Sequence, residues 1–470
     1  MKDGERMLFE GSTVNRAQAI ALTIAFSLRH QLTHAARKDL LQLLNVFVPD
    51  SVPRTNFLLD KLFSSEEKNI AERHMYCPDC LAYIGVSVSN NYCLECKRMI
   101  TGEICNSLGS YMLILPIKQQ LTDMLENHDV LSLLCKDVNT AGKISTPCDG
   151  VLYDTEFLSV PNNFSLSYSC DGVPVFKSSK YSIWPLFVSI NELPLIQRRR
   201  HIILTALWFG PKKPRMDTFL KCFVDEMSKL YEDGLQWSDN GQMCVSKVIA
   251  SVCICDAPAR TMVHNFMQYN GFHGCGFCKH PGIRVPKGNG HATVYPVTDD
   301  IPVRRNHGET IDHATQAVTS GTSHFGVKGP SMVMLLPKFD IIRGFVPEYM
   351  HSVLLGVVRM FIDLWLDSSH HNEPYYIRDV RMIDCKLLGL KPPNEIRRKP
   401  RSITDRKFWK ASEWRAFVLL YSAFVLKGLI ADKYYNHWML LVFSFTVLVQ
   451  SEISQDDIAK CKLALFKFGI

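Results

Sequence analysis

The sequence predicts an α/β protein built on a mixed sheet, with helical segments at both ends and a small cysteine-punctuated module ahead of the sheet. Three observations predict it. Between about residues 160 and 270, apolar runs of strand length alternate with turns and one long amphipathic stretch. Two of those runs end in an aspartate, Asp171 and Asp256. Upstream, two Cys-x-x-Cys pairs stand at hairpin distance from one another.

At 470 residues the chain exceeds one ordinary core, so two or three domains are expected. An apolar share of 47% with 21% charged residues is that of a globular protein and excludes a disordered one. A net charge of +7 leans mildly toward polyanions. The polar opening residues offer no secretory signal, so the sixteen cysteines are expected to be reduced, and paired spacings to bind metal rather than form disulfides. The longest apolar runs, such as 438–449, fall short of a membrane span and read as buried helices; no membrane partner is expected.

Residues 1–70 read as an N-terminal helical region. Ala19, Leu22, Ala25, Phe26 and Leu28 share one side of a first helix, and Leu40, Leu41, Leu43, Leu44 and Phe47 mark a second that stops before Pro49. Residues 71–110 are short and strand-like around their cysteines and read as a zinc ribbon. Residues 111–159 read as a helical linker, with its helix over about 113–134.

Residues 160–345 read as the core. Its first strand, ending at Cys170, alternates apolar side chains with serines, and Asp171 falls on the serine face. The second strand is 183–190, and the third is 202–209, stopped by Gly210 and Pro211. A helix from about Met216 carries Phe219, Cys222, Phe223, Met227 and Leu230 at helical spacing and ends at Gly234. The near-continuous apolar run 248–255 is a buried fourth strand closed by Asp256. The next helix begins at Ala257-Pro258, where the missing proline amide costs nothing, and stops at Asn270-Gly271. Three strands, a helix and a buried strand is the order of the ribonuclease-H-like fold. In that fold strands one and four are neighbours, which would bring Asp171 and Asp256 together. Residues 280–330 read as a long irregular insertion. Residues 346–470 read as a helical insertion region, incomplete, with helices over 348–365 and 409–449 around a basic run at 396–401.

Cys77, Cys80, Cys93 and Cys96 supply four thiolates in the spacing of a closed structural zinc site, with a strand-like segment between the pairs. Cys275 and Cys278 make a second, half-complete site. His273, His280, His307, His313 and His351 are candidates to complete it, none of them by spacing. A lone aspartate at a strand end is more often a cap or turn residue. Two at neighbouring strand ends are what holds two divalent cations over a phosphodiester. Arg198, Arg199, Arg200, Lys212, Lys213, Arg397, Arg398, Lys399 and Arg401 are candidates for phosphate contact, although any single cluster is more often a solvated loop. The run around Arg397 reads equally as a nuclear-import signal.

An ordered set of short motifs carries a family resemblance. It comprises Asp171-Gly-Val-Pro-Val-Phe-Lys-Ser-Ser179, Trp184-Pro185, Asn191-Glu-Leu-Pro194, Leu207-Trp-Phe-Gly-Pro-Lys-Lys-Pro214, Asp256-Ala-Pro-Ala259, Gly274-Cys-Gly-Phe-Cys278, Gly326-Val-Lys-Gly329, Met350-His351 and Lys410-Ala-Ser-Glu-Trp-Arg415. The set resembles the transposases of CACTA (En/Spm-like) cut-and-paste DNA transposons, over most of the chain to about residue 450. The resemblance implies a ribonuclease-H-like DDE core with two Mg²⁺ or Mn²⁺ ions, Asp171 as first acid and Asp256 as second. It also implies a zinc site formed by Cys275 and Cys278 with two downstream histidines. Double-stranded DNA and transposon ends are the implied partners, a dimer on paired ends the implied assembly, and the nucleus the implied location.

The departure from the family pattern is specific. The histidine pair and the third acid, a glutamate, are expected beyond a helical insertion, and neither motif occurs before Ile470. The expectation is a truncation within or just after that insertion. Glu413 and Glu348 are the substitute acids to consider, and structural roles are expected for both. Glu348 stands where relatives have aspartate before the Met-His pair. The expected function is therefore a transposase-like protein for metal-dependent phosphodiester cleavage and strand transfer, with cleavage weak or absent for want of the third carboxylate. The alternative is a transposon-derived, non-catalytic DNA- or chromatin-binding protein.

Overall fold

The computed structural model describes residues 5–30, 32–63, 71–88, 91–134, 142–150, 153, 155–160, 162–175, 181–297, 302–396 and 398–469. The chain forms two compact units, Met1–Ile70 and Ala71–Ile470.

The first unit holds helices α1 (Arg16–Arg29), α2 (His34–Phe47) and α3 (Asn56–Phe63). Asn15 and Gln18 form a capping box at α1, and the Thr33 hydroxyl accepts from Ala36 N to start α2. Ile20, Leu41, Val52 and Leu59 make a small core. The side of α1 that packs is not the expected one. Ile20, Thr23 and Ser27 are buried, while Leu22, Phe26 and Leu28 are exposed. The two hydroxyls are buried without penalty because each donates to the carbonyl four residues back, Thr23 to Ala19 and Ser27 to Thr23, both at 2.7 Å.

The second unit is a mixed α/β structure on a nine-stranded sheet. In chain order its strands are β1 (Glu72–Tyr76), β2 (Tyr83–Gly85), β3 (Tyr111–Ile114), β4 (Phe164–Cys170), β5 (Val173–Pro174), β6 (Ser182–Ile190), β7 (Ile203–Gly210), β8 (Val248–Ile254) and β9 (Phe345–Val346). The spatial order is β9-β8-β4-β6-β7-β3-β1-β2, with β5 paired to β6. β4, β6 and β7 are successive antiparallel neighbours. β8 runs parallel to β4, and β9 parallel to β8. Helix α4 (Met216–Glu232) crosses from β7 to β8 and buries Phe219, Leu220, Phe223, Val224, Met227 and Leu230 against the sheet. Helix α5 (Ala257–His264) follows β8.

Four elements differ from the sequence reading. The expected helical linker opens instead with β3, which pairs with β7. Its helix, Ile117–Leu125, starts only after Pro116, which serves as its N-cap. Helix α5 ends at His264 rather than at 270, because Asn265 takes the left-handed conformation (φ 55°) and closes it. The expected irregular insertion contains a hairpin, Ile283–Lys287 with Gly290–Val294, and a 14-residue helix, His307–Ser320, capped by Asn306 and stopped at Gly321. A further hairpin, Leu235–Asp239 with Gln242–Ser246, lies between α4 and β8. Beyond β9 the chain is helical around a second core that includes Leu354, Trp365, Trp414, Phe417 and Trp438.

Candidate active site

The parallel pairings fix where the acids stand. Cys253 of β8 pairs with Tyr168 of β4 on one side and with Phe345 of β9 on the other. Three residues further along each strand come Asp256, Asp171 and Glu348. Asp171 and Asp256 thus follow two neighbouring parallel strands at one level, while Glu348 comes two residues beyond the end of β9. One residue earlier, Cys170 and Cys255 bring their sulfurs to 3.9 Å, as strands still in register require. Asp171 follows β4 because Gly172 lets the chain turn across Trp184; a Cβ at 172 would come within 2.5 Å of that ring. Asp256 ends β8 because its Oδ1 accepts from Ala259 N at 2.7 Å and caps α5.

The edge is electrostatically loaded. Burial, and then the charge of Asp256, push the Asp171 carboxyl above the usual carboxylate range, against a pull downward from the Gly172 amide and from His351. Asp171 Oδ1 accepts from Gly172 N at 2.6 Å. The two aspartates do not close with a third group on a single point. Among the described residues only the four ribbon cysteines do so.

Of the two glutamates weighed from sequence, Glu413 is fully committed. Its side chain is 7% exposed, takes Arg401 Nε at 2.7 Å and Arg401 Nη2 at 3.1 Å, and accepts from Lys410 N at 2.8 Å. Glu348 follows β9 and is engaged locally. Its Oε2 takes both His351 N and His351 Nδ1 at 2.8 Å, and its Oε1 takes Met350 N.

Cys77, Cys80, Cys93 and Cys96 converge with all sulfurs within 4.8 Å of one another, Cys77 to Cys96 at 3.5 Å and Cys80 to Cys93 at 3.6 Å. Tetrahedral Zn–S bonds of about 2.3 Å place sulfurs about 3.8 Å apart, so the cluster fits zinc. The two halves are built alike. Leu81 N donates to Cys77 O and Lys97 N to Cys93 O, both at 2.9 Å, with Leu81 and Lys97 at φ 62° and 61°. Burial pushes Cys80 up to about 12. For Cys93 the same burial is outweighed by the amides of Cys96 and Glu95 and by the neighbouring thiols, which bring it down to about 7. The ribbon is joined to the sheet through β1, where Tyr76 stacks on Trp208 of β7 at 3.9 Å. Arg215 adds an ion pair with Glu95 at 2.5 Å.

Cys275 and Cys278 form a turn held by Arg305. That buried guanidinium donates to the carbonyls of Cys275, Cys278 and His273 at 3.0 Å and of Phe325 at 2.5 Å. No third ligand joins the two thiols among the described residues. His273 Nδ1 bonds to Lys279 O, His280 to Pro296 O and Gly282 N, His307 to Ile341 N, and His351 to Glu348. His313 is buried, with an Nδ1 that has no hydrogen bond.

The basic clusters are partly spent on the fold. Arg198 turns inward, where burial lowers its pKa against the pull of Cys148 and Glu192. Lys212 Nζ reaches the carbonyls of Pro78 and Asp79. Arg398 and Arg401 pair with Glu413. Arg199, Arg200, Lys213 and Lys399 are exposed, and Arg397 lies outside the described residues.

Sequence reasoning missed a polar network at the end of β4 opposite Asp171. The serine face of β4 is buried, not solvated. Glu192, 2% exposed, accepts from Ser165 N, Ser165 Oγ and Tyr153 Oη, while Asn191 bonds Ser165, Ser167 and Ser251. The signal available was the pairing of an alternating serine strand with an Asn-Glu end on the strand beside it.

Residues 149–306 match the model of the transposase family tnp2. The matched segment holds β4 to β8, both aspartates, Cys275 and Cys278. It supports a transposase-like protein, with DNA as its partner. No curated protein matches the chain. No helix among the described residues is long and apolar enough to cross a membrane.

Proposed function

We propose that the chain carries the core of a CACTA-type cut-and-paste DNA transposase, in which Asp171 and Asp256 hold divalent cations, Mg²⁺ or Mn²⁺, at one sheet edge. The observation that carries this reading is the register of β4, β8 and β9, which sets both aspartates at the same level of adjacent parallel strands. The same strand order, three antiparallel strands followed by two parallel ones on the far side of the first, supports assignment to the ribonuclease-H-like fold. The donor chemistry fits the ions. Asp171 is pushed up by burial and by Asp256, and a cation relieves both penalties at once.

Bound cations would supply activation of the attacking oxygen and charge for the leaving one. The chain's part is positioning. The Asp256 cap fixes that carboxylate through Oδ1 and leaves Oδ2 for a cation. Asp171, at the exposed end of β4, would bridge. Arg199, Arg200, Lys213 and Lys399 are the exposed cations left to meet phosphates. Two copies on paired transposon ends, acting in the nucleus, complete the proposal.

The test is Mn²⁺-dependent nicking of a supercoiled plasmid and of a transposon-end duplex. Nicking that Asp171→Asn and Asp256→Asn both abolish supports the reading, and nicking indifferent to both overturns it. The commitment of Glu413 to Arg401 favours a second reading, a transposon-derived DNA-binding protein without chemistry. DNA binding with no nicking in Mn²⁺ would select it.

A further inference from the structure

Glu72 and His74 stand two apart on β1, so their side chains leave the strand on the same side. Tyr83 opens β2 beside them, and Cys222 reaches them from α4. Short contacts join the four side chains. Cys222 Sγ lies 3.3 Å from His74 Nδ1, and His74 Nε2 lies 3.2 Å from Glu72 Oε2. Tyr83 Oη lies 2.7 Å from His74 Nδ1 and 3.7 Å from Cys222 Sγ. All four line one cavity of about 440 Å³.

The order of these contacts places the protons. The Glu72 carboxylate only accepts, so it takes the proton of Nε2 and leaves the Nδ1 lone pair facing the thiol. Nucleophile, base and orienting carboxylate stand in sequence, each within hydrogen-bond reach of the next. Tyr83 Oη, touching both Nδ1 and Sγ, is a second path for the same proton. Burial raises the pKa of the Cys222 thiol, aided by Asp225 and Glu226 and opposed by Tyr83 and Lys221. The sulfur therefore rests as a thiol and needs a base in the reacting step, and Nδ1 stands where that base must be.

From this arrangement, which does not involve the carboxylates of β4 and β8, we infer that Cys222 is a nucleophilic thiol and a site of covalent modification by small uncharged electrophiles, with His74 as its base and Glu72 as a positioning residue. In the step the sulfur attacks the electrophilic carbon and its proton passes to His74 Nδ1. The leaving group departs with the electrons of the bond that breaks. With iodoacetamide, the S–C bond forms, the C–I bond breaks and iodide leaves. Glu72 then faces an imidazolium and stabilises its charge. The cavity also selects among electrophiles. Its charged lining sets the carboxyl groups of Glu72, Asp225, Glu226 and Asp233 against the ammonium groups of Lys118 and Lys229. That excess of acid admits an uncharged reagent in preference to an anion.

The experiment is alkylation of the full zinc-loaded chain with iodoacetamide at neutral pH, followed cysteine by cysteine through peptide mass mapping. Cys385, which is exposed, is the internal standard. Cys222 is expected to react faster than Cys385 although it is less exposed. Its rate is expected to fall about 100-fold in His74→Ala and about tenfold in Glu72→Gln, with Cys385 unchanged. Added imidazole is expected to restore part of the rate in His74→Ala, which it would not do for a histidine that only supports the fold. Iodoacetate in place of iodoacetamide is expected to slow Cys222 more than Cys385. The Glu72 side chain is 55% exposed, so its variant tests the arrangement even if His74→Ala does not fold. Labelling of Cys222 slower than that of Cys385, or a Cys222 rate that neither variant changes, overturns the inference. A loss in His74→Ala that imidazole does not restore, together with no loss in Glu72→Gln, assigns His74 to the fold and overturns it as well.

Discussion

His264 makes the stability of the core depend on pH in a calculable way. The ring is 2% exposed, stacked on Phe266 at 3.5 Å and on Phe345 at 4.4 Å, and its Nε2 has no hydrogen-bond partner. Burial lowers its pKa from 6.5 to about 3, helped by the charges of Arg305 and Arg260 and opposed only by a hydrogen bond to the Ile341 backbone. The unfolded chain therefore binds this proton far more tightly than the folded one. The stabilisation is present above pH 6.5 and is lost as pH falls from there toward 3. Each unit of pH within that window is worth about 1.4 kcal/mol, so the loss at pH 5 is about 2 kcal/mol. The assay is urea unfolding followed by tryptophan fluorescence at pH 7.5 and pH 5, for the native chain and for His264→Gln. Other titrations are common to both proteins and cancel in the difference. The variant is less stable at pH 7.5, having lost the stacking, and the gap is expected to narrow by about 2 kcal/mol at pH 5. A gap of the same size at both pH values would refute the neutral, desolvated ring.

The purified chain is expected to carry one zinc, and Cys93→Ser none, by elemental analysis; a second zinc that survives in Cys93→Ser would place a complete site at Cys275 and Cys278. Glu192→Ala strips partners from Ser165 N, Ser165 Oγ and Tyr153 Oη and is expected to cost about 3 kcal/mol in urea unfolding, a loss below about 1 kcal/mol counting against the network. Burial holds the Glu192 pKa above its unfolded value. Its contribution is therefore fully present below the ordinary carboxylate range and lost as pH rises through the folded value, so native stability should decline against Glu192→Gln as pH rises. Arg305→Lys is expected to unravel the Cys275–Cys278 turn, seen as faster amide exchange over residues 273–280, since one ammonium cannot span four carbonyls; unchanged exchange would show the turn to be self-supporting.

The parts of the core that were legible in sequence are those whose signal is local. β4, β6, β7 and β8 fall within one residue of the expected strands, because each is a run of alternating or continuous apolar residues bounded by Gly, Pro or Asp. The Cys-x-x-Cys pairs are legible because zinc needs only short-range spacing. β9 was invisible. Two residues, Phe345 and Val346, carry no periodicity, and their strand character comes wholly from pairing with Cys253 and Ile254. Missing β9 meant missing that Glu348 follows a strand paired with β8. β3 read as the start of a helix because 111–115 is apolar throughout, and a short apolar run does not distinguish strand from helix. The packed side of α1 was misjudged for a related reason. Choosing by hydrophobicity overlooks Thr23 and Ser27, whose hydroxyls are satisfied within the helix.

The topology separates the cysteine ribbon from the proposed carboxylate site. The aspartates follow β4 and β8, whereas the ribbon is carried by β1 and β2, at the opposite end of the strand order. From β4 the path to β1 crosses β6, β7 and β3, four inter-strand steps of about 4.8 Å each, or about 19 Å. Sites that far apart with no shared partner act independently. Losing the ribbon zinc should therefore cost stability through β1 and the Tyr76–Trp208 stack without reaching the carboxylates. In a double-mutant cycle, the unfolding free-energy changes of Cys93→Ser and Asp171→Asn are expected to add to within about 0.5 kcal/mol, and Cys93→Ser alone to leave Mn²⁺ affinity unchanged. A coupling above about 1 kcal/mol, or an Mn²⁺ affinity that falls with the zinc, would mean that the sheet transmits between its two ends and that the ribbon belongs to the site itself.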